Sequence, residues 1–163
     1  MARKVTMLMF VLVSALIALP CHAQSKLAVI NTREVLTKCE PGAQAINSIQ
    51  NSFAERRKQM GAMEQEIIKL QEEAKAKGEK STAAILLQTK FQKFQEEDQK
   101  FKQDLTQEEG IKLKPVADKI TKVISDYAKS KGISAIQERG VFVYFDYSLD
   151  ITDDIIKLVN QEK

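Results

Sequence analysis

From Ala43 onward, apolar residues return at alternating steps of three and four. One position of the repeat carries Ile46, Phe53, Met60, Ile67 and Ala74; the other carries Ile49, Arg56, Met63, Leu70 and Lys77. Such spacing keeps one stripe of a helix turned toward a partner helix, because a 3.5-residue period stays close to the 3.6-residue turn. Gly78 interrupts the pattern, and "GEKST" reads as a turn followed by a helix cap at Ser81 or Thr82. A second register then runs through Ala84, Leu87, Phe91, Phe94, Asp98, Phe101 and Leu105. Two long periodic segments joined by a short turn predict an antiparallel helical hairpin over residues 43–112, with its tip near 77–82. About 36 residues per helix at 1.5 Å each make an arm of roughly 54 Å.

The seam departs from an ideal coiled coil in two ways. Arg56, Lys77 and Asp98 stand where leucine is expected, and methionines and phenylalanines replace much of the leucine and isoleucine. Methionine is adaptable and frequent at promiscuous binding surfaces. Most of these side chains are accounted for as hairpin core, but an arm two helices wide cannot cover all of them. Phe53, Met60, Met63, Phe91, Phe94 and Phe101 are therefore candidate contacts for an apolar partner. The register also slips at Glu108–Lys112, and a new seam follows at Leu113, Val116, Ile120, Val123 and Tyr127. Gly110 and Pro115 lie inside the slip; glycine weakens a helix and proline removes a backbone donor. Two readings stand: one helix with a bend or hinge at Gly110–Pro115, or two helices with a short break.

The chain ends differ in character from the arm. "MARKVTMLMFVLVSALIALPCHA" has a basic start, an apolar run from Val5 to Leu19 and a small residue at Ala23, the layout of a secretory signal peptide over residues 1–23. A membrane anchor is the rival, but the run is shorter than the ~20 residues a spanning helix needs. A lipoprotein signal at Cys21 would want a small residue where Pro20 stands. Cleavage after Ala23 removes His22, the only histidine, and Cys21, leaving Cys39 as the sole cysteine. It also removes Arg3 and Lys4, taking the formal charge from +3 to +1, so no nucleic-acid partner is indicated. Without histidine there is no Ser-His-Asp machinery and no histidine-bearing metal site. One cysteine makes no internal disulfide, and a free, buried or half-buried thiol beside Pro41 is expected. No phosphate-binding glycine loop is present. No enzyme activity, cofactor or metal site follows from these residues.

Residues 24–42 open the mature chain. Leu27–Ile30 reads as a short buried strand, Asn31 or Thr32 as the cap of a short helix, and Pro41-Gly42 as punctuation. In residues 113–163, Gly132 ends the long helix, "ISAIQE" is a strand candidate, Arg139-Gly140 a turn, and "VFVYFD" a β-branched aromatic strand. "ITDDIIKLVNQ" places Ile151, Ile155, Leu158 and Val159 on one helical face. The acidic run Asp146, Asp150, Asp153 and Asp154 reads as helix-start chemistry, with Asp150 or Thr152 as cap and two aspartates in the first turn, where unpaired N–H groups favour negative charge. A calcium loop would need a glycine-bearing ligand pattern that is absent. The segment Val141–Phe145 is apolar on both faces, so with Leu27 and Val29 it is expected to lie in an oligomer core: Leu27, Val29, Val141, Val143 and Phe145.

The order of signal peptide, "KLAVIN" strand, charged hairpin and "KGISAIQERGVFVYFDYSLDITDDIIKLVN" resembles the Skp (OmpH-like) family of periplasmic chaperones. The specific part is Asp146-Tyr147-Ser148-Leu149-Asp150-Ile151-Thr152-Asp153; in the arm only the pattern is shared. The resemblance implies an α+β, mostly α fold: a small β-sheet trimerisation body with one long coiled-coil hairpin per subunit. It implies a periplasmic homotrimer that holds unfolded outer-membrane proteins between its arms without ATP. The family is typically strongly basic, which this chain is not. Its lysines are local: Lys75, Lys77 and Lys80 at the tip, an ordinary solvated loop or a contact with a membrane surface or lipopolysaccharide, and Lys112, Lys114, Lys119 and Lys122 after the slip. A structural or adaptor coiled coil of the envelope explains the heptads equally well and the methionines less well.

Overall fold

The structure, a computed structural model, describes residues 26–78 and 80–162; the expected signal peptide lies outside the described residues. The chain runs β1 (Lys26–Ile30), α1 (Thr32–Lys38), α2 (Glu40–Ser52), α3 (Ala54–Lys77), α4 (Thr82–Lys131), β2 (Ile133–Glu138), two single 3₁₀ turns (Arg139–Val141 and Tyr147–Leu149) and α5 (Thr152–Gln161). It is mostly helical with a small two-stranded sheet.

Local chemistry explains most boundaries. The Asn31 side chain accepts the Glu34 N–H at 3.0 Å and starts α1. Ser81 does the same for Ala84 at the start of α4. Gly132, at φ 63°, closes α4 in the left-handed conformation that glycine adopts without a Cβ clash. Pro41 sits in the first turn of α2, where a missing N–H costs no helical bond. The Glu40 N–H of the same turn is taken by the Asn160 side chain at 2.8 Å.

β1 and β2 pair in parallel, Leu27 opposite Ala135 and Ile30 opposite Glu138. The whole hairpin is therefore the crossover between two neighbouring strands. On the other side of β1, the Ile151 N–H donates to the Val29 carbonyl at 2.9 Å, so β1 is central. The core sits here. Ala28, Ile30, Val35 and Cys39 from the N-terminal end meet Val116, Ile120 and Val123 of α4 and Ile151, Ile155 and Val159 of the C-terminal end. Each fully buried aliphatic side chain of this kind contributes about 1.5–3 kcal/mol.

α3 packs antiparallel on the first half of α4, as the pairs Arg56–Asp104 and Glu66–Lys90 require. α4 is continuous from Thr82 to Lys131 with Gly110 and Pro115 inside it, so the reading as two helices is overturned. Proline's φ suits a helix, and the buried Val116 and Ile120 anchor the stretch beyond it. The outgoing helix shows the opposite departure. Expected unbroken from Ala43, it starts at Glu40 and is interrupted at Phe53 (φ −104°, ψ 1°). "VFVYFD" also departs: Val141 ends a 3₁₀ turn and Phe142–Asp146 is irregular, not a strand. Within one chain both edges of its intended neighbours are already set, β1 lying between β2 and Asp150.

Candidate functional site

Two surfaces collect the side chains singled out by sequence. The first is the segment after β2. Val141 (62% exposed), Val143 (107%) and Tyr144 (85%) project from the body, as does Tyr147. Phe142, Phe145 and Tyr147 stack in series, with centroids 6.1 and 5.2 Å apart, which stiffens the loop from within. Phe145 is thus half-buried in its own loop, and Leu27 is partly exposed on β1. Val29 is different: its own chain covers it completely.

Arg139 holds this segment to the body, a role the sequence did not reveal because "RG" reads simply as a turn. Its guanidinium reaches Glu34 at 2.8 Å and Asp150 at 3.3 Å. Beside it, the Thr32 hydroxyl donates to Glu138 at 2.9 Å. The acidic run does local structural work. Asp146 accepts the Ser148 N–H, which lowers its carboxyl below the ordinary range. Burial pushes the Asp150 carboxyl up, but the Thr152 hydroxyl and N–H and the Arg139 guanidinium outweigh it and hold it low. The boundary residue of α5 is Ile151, not Asp150 or Thr152, yet both flanking groups are engaged. Asp150 accepts the Thr152 N–H at 2.9 Å, and the Thr152 hydroxyl oxygen accepts the Asn31 N–H at 2.9 Å. Tyr127 donates to Asp154 at 2.7 Å, and that bond raises the phenol above its usual value. Among the described residues no group of three or more His, Cys, Asp or Glu is arranged to hold a metal ion.

The second surface is the arm. Phe53 is buried and meets Phe101 edge-on at 5.5 Å, with the Arg56 guanidinium 5.5 Å from the Phe101 ring centre. Met60, Met63 and Phe94 are half-buried along the seam, and Phe91 is 47% exposed. Apolar residues outside the heptad register add to this surface: Ile68, Ile85, Leu86 and Ile111 are exposed. Their off-register positions were the available signal. Lys75, Lys77 and Lys80 are exposed at the tip, Lys77 paired with Glu73. Cys39 is a free, fully buried thiol.

One pair resembles catalytic chemistry without its requirements. The Lys112 amine donates to the Ser48 hydroxyl at 2.6 Å and also pairs with Glu108 at 3.2 Å, so it serves both as a hydrogen-bond donor and as an ion-pair partner. Both residues are mid-helix, where backbone donors are engaged in the helical ladder and unable to stabilise an oxyanion.

The strand-arm-strand order with its acidic C-terminal element matches a family model, Outer membrane protein (OmpH-like), over residues 26–159. The chain belongs to the OmpH-like family. Among solved structures, an OmpH-like protein from Caulobacter crescentus CB15, described as a candidate outer membrane chaperone, shares the fold at a TM-score of 0.58. The match covers 86% of this chain and 87% of that one at 14% identity. At that identity the likeness concerns the OmpH-like fold alone. No curated protein sequence matches the chain significantly.

Proposed function

We propose that this OmpH-like chain is a periplasmic, ATP-independent holdase that shields unfolded outer-membrane proteins in a cavity between the arms of a homotrimer. The carrying observation is the apolar segment Val141–Tyr147, left in solvent by a single chain beside a body that is otherwise well packed. Contiguous exposed apolar surface of this kind marks an interaction site. Its β-branched and aromatic composition suits a strand, so a neighbouring copy supplying a sheet edge would order it. On this reading Leu27, Val141, Val143 and Phe145 face the other copies, with Val29 beneath them as part of the single-chain core.

The arms supply the client surface. Half-exposed Met60, Met63 and Phe94, with exposed Phe91, offer adaptable apolar contact without a fixed pocket, which suits a range of unfolded chains. Phe53 and Phe101 support the hairpin rather than present themselves to clients. Lys75, Lys77 and Lys80, exposed at the tip, would be attracted to an anionic membrane surface. The test is aggregation of a denatured outer-membrane β-barrel protein, followed by light scattering without nucleotide. Suppression by the mature chain, weakened when Phe91→Ser and Met63→Ser are combined, is the expected result. A trimer with no effect on aggregation would favour the structural coiled coil.

A further inference from the structure

The interruption at Phe53 has a feature that ordinary helix ends lack. The helical ladder stops at the Phe53 N–H bond to the Ile49 carbonyl and resumes at the Arg57 N–H bond to the Phe53 carbonyl. Between them, the Arg57 guanidinium reaches back across the gap to the Gln50 carbonyl at 2.6 Å. A side chain thus replaces a backbone bond. The Ser52 hydroxyl meanwhile donates to the Ser48 carbonyl at 2.9 Å, a back-bond that competes with the ladder and bends helices.

The opposite helix is intact at this level. Phe101 packs on Phe53, and Asp104 binds Arg56 at 2.5 Å. Its weak stretch lies about two turns toward the body, where Lys112 touches Ser48 and Pro115 leaves one carbonyl without a helical donor. The two weak points are staggered, so neither alone lets the hairpin bend freely.

We propose that the arm root is a two-part joint, with the pivot at Phe53 and Arg57 as the latch that holds it straight. Arg57 acts as a positioning residue: its contact with Gln50 sets the population of the straight arm. Releasing it lets residues 54–77 swing about Phe101, with Gly110–Pro115 giving way in the return helix. The joint is a property of the chain's own geometry, independent of whether the arm binds clients.

The test uses the mature chain with spin labels at Gln65→Cys in the arm and Ser125→Cys in the body, diluted with unlabelled chain; Cys39 is buried and protected from labelling. Arg57→Ala should broaden the distance distribution and speed exchange of the Phe53 and Arg57 amides, the two that bridge the break, at least tenfold, with helix content and oligomeric state unchanged. Arg57→Lys should fall between the two. Ser52→Ala, which removes the competing back-bond, should narrow the distribution and slow the exchange. Unchanged distances and exchange in both Arg57→Ala and Ser52→Ala would overturn the latch. Broadening only on substitution of Gly110 and Pro115 would overturn the pivot at Phe53. Neither readout requires a client, so a failure here is separate from a failure of chaperone activity.

Discussion

Two glycines show how far residue type is from residue role. A Cβ built on Gly42 would lie 1.8 Å from the Leu36 carbonyl oxygen, which is backbone and has nowhere to go. Gly42 is what lets α2 turn tightly against the end of α1. Gly42→Ala should therefore destabilise the chain by about 1–3 kcal/mol, the range for overpacking, seen as a lower urea midpoint. Gly61, mid-α3, has nothing within 4 Å of its added Cβ. Gly61→Ala should stabilise by about 0.5–1 kcal/mol through helix propensity alone. Asp150 sets a pH dependence at the same scale. Its carboxyl is held below the ordinary value of 3.8, so its contribution is full above that value and is lost as pH falls through the lowered one. Stability measured from pH 5 down to pH 2 should decline more steeply in the native chain than in Asp150→Asn. Equal slopes would mean that the Arg139 and Thr152 contacts contribute nothing.

At the scale of elements, the decisive contact joins the two ends of the chain. The Thr152 hydroxyl is buried between the Asn31 N–H and the Asp150 carboxylate, tying the first residue of α5 to the end of β1. Thr152→Val keeps the shape but leaves the Asn31 donor without a partner, at a cost of about 1–3 kcal/mol. Thr152→Ser should recover most of it. Chemical denaturation of the three proteins checks this, and equal midpoints for Val and Ser would show that the methyl group, not the hydroxyl, matters. The long hairpin behaves as an insertion between β1 and β2. Few of its side chains are fully buried, and Ile67, Leu70 and Ala83 are the main ones beyond Phe53. Amide exchange should accordingly be slowest in β1, α5 and the Val116–Val123 stretch of α4, and fastest toward the tip.

For the whole molecule, the question is what covers Val141, Val143 and Tyr144. Val143 touches so little of its own chain that Val143→Asp should leave single-chain folding intact. In an assembly the same charge would be buried without a partner, a cost of several kcal/mol repeated at each interface. Sedimentation equilibrium should show a trimer for the native chain and a folded monomer for Val143→Asp. A native chain that stays monomeric at micromolar concentration would remove both the trimer and the cavity from the functional reading. Cys39 is fully covered within one chain and faces the Leu36 carbonyl.

What the amino-acid order alone determined is everything set within a few turns. The hairpin, its antiparallel seam, the stop at Gly132 and the caps to within one residue, Asn31 or Thr32 and Ser81 or Thr82, follow from periodicity and from hydrogen bonds spanning a few residues. The element from Asp146 to Asp153 was legible as a family resemblance, while its expected cap at Asp150 or Thr152 falls instead on Ile151, with Asp146 and Asp150 bonding the backbone two residues on. Tertiary structure decided the rest. That β2 rather than "VFVYFD" lies beside β1 depends on which segment reaches that edge after a hundred-residue excursion, information absent from any local window. At the break the Phe53 ring packs edge-on against Phe101 of the opposite helix, a contact to which the register that predicted an unbroken helix is blind. The clamp by Arg139 joins residues distant in sequence, because a charge seeks its partners in space and not along the chain.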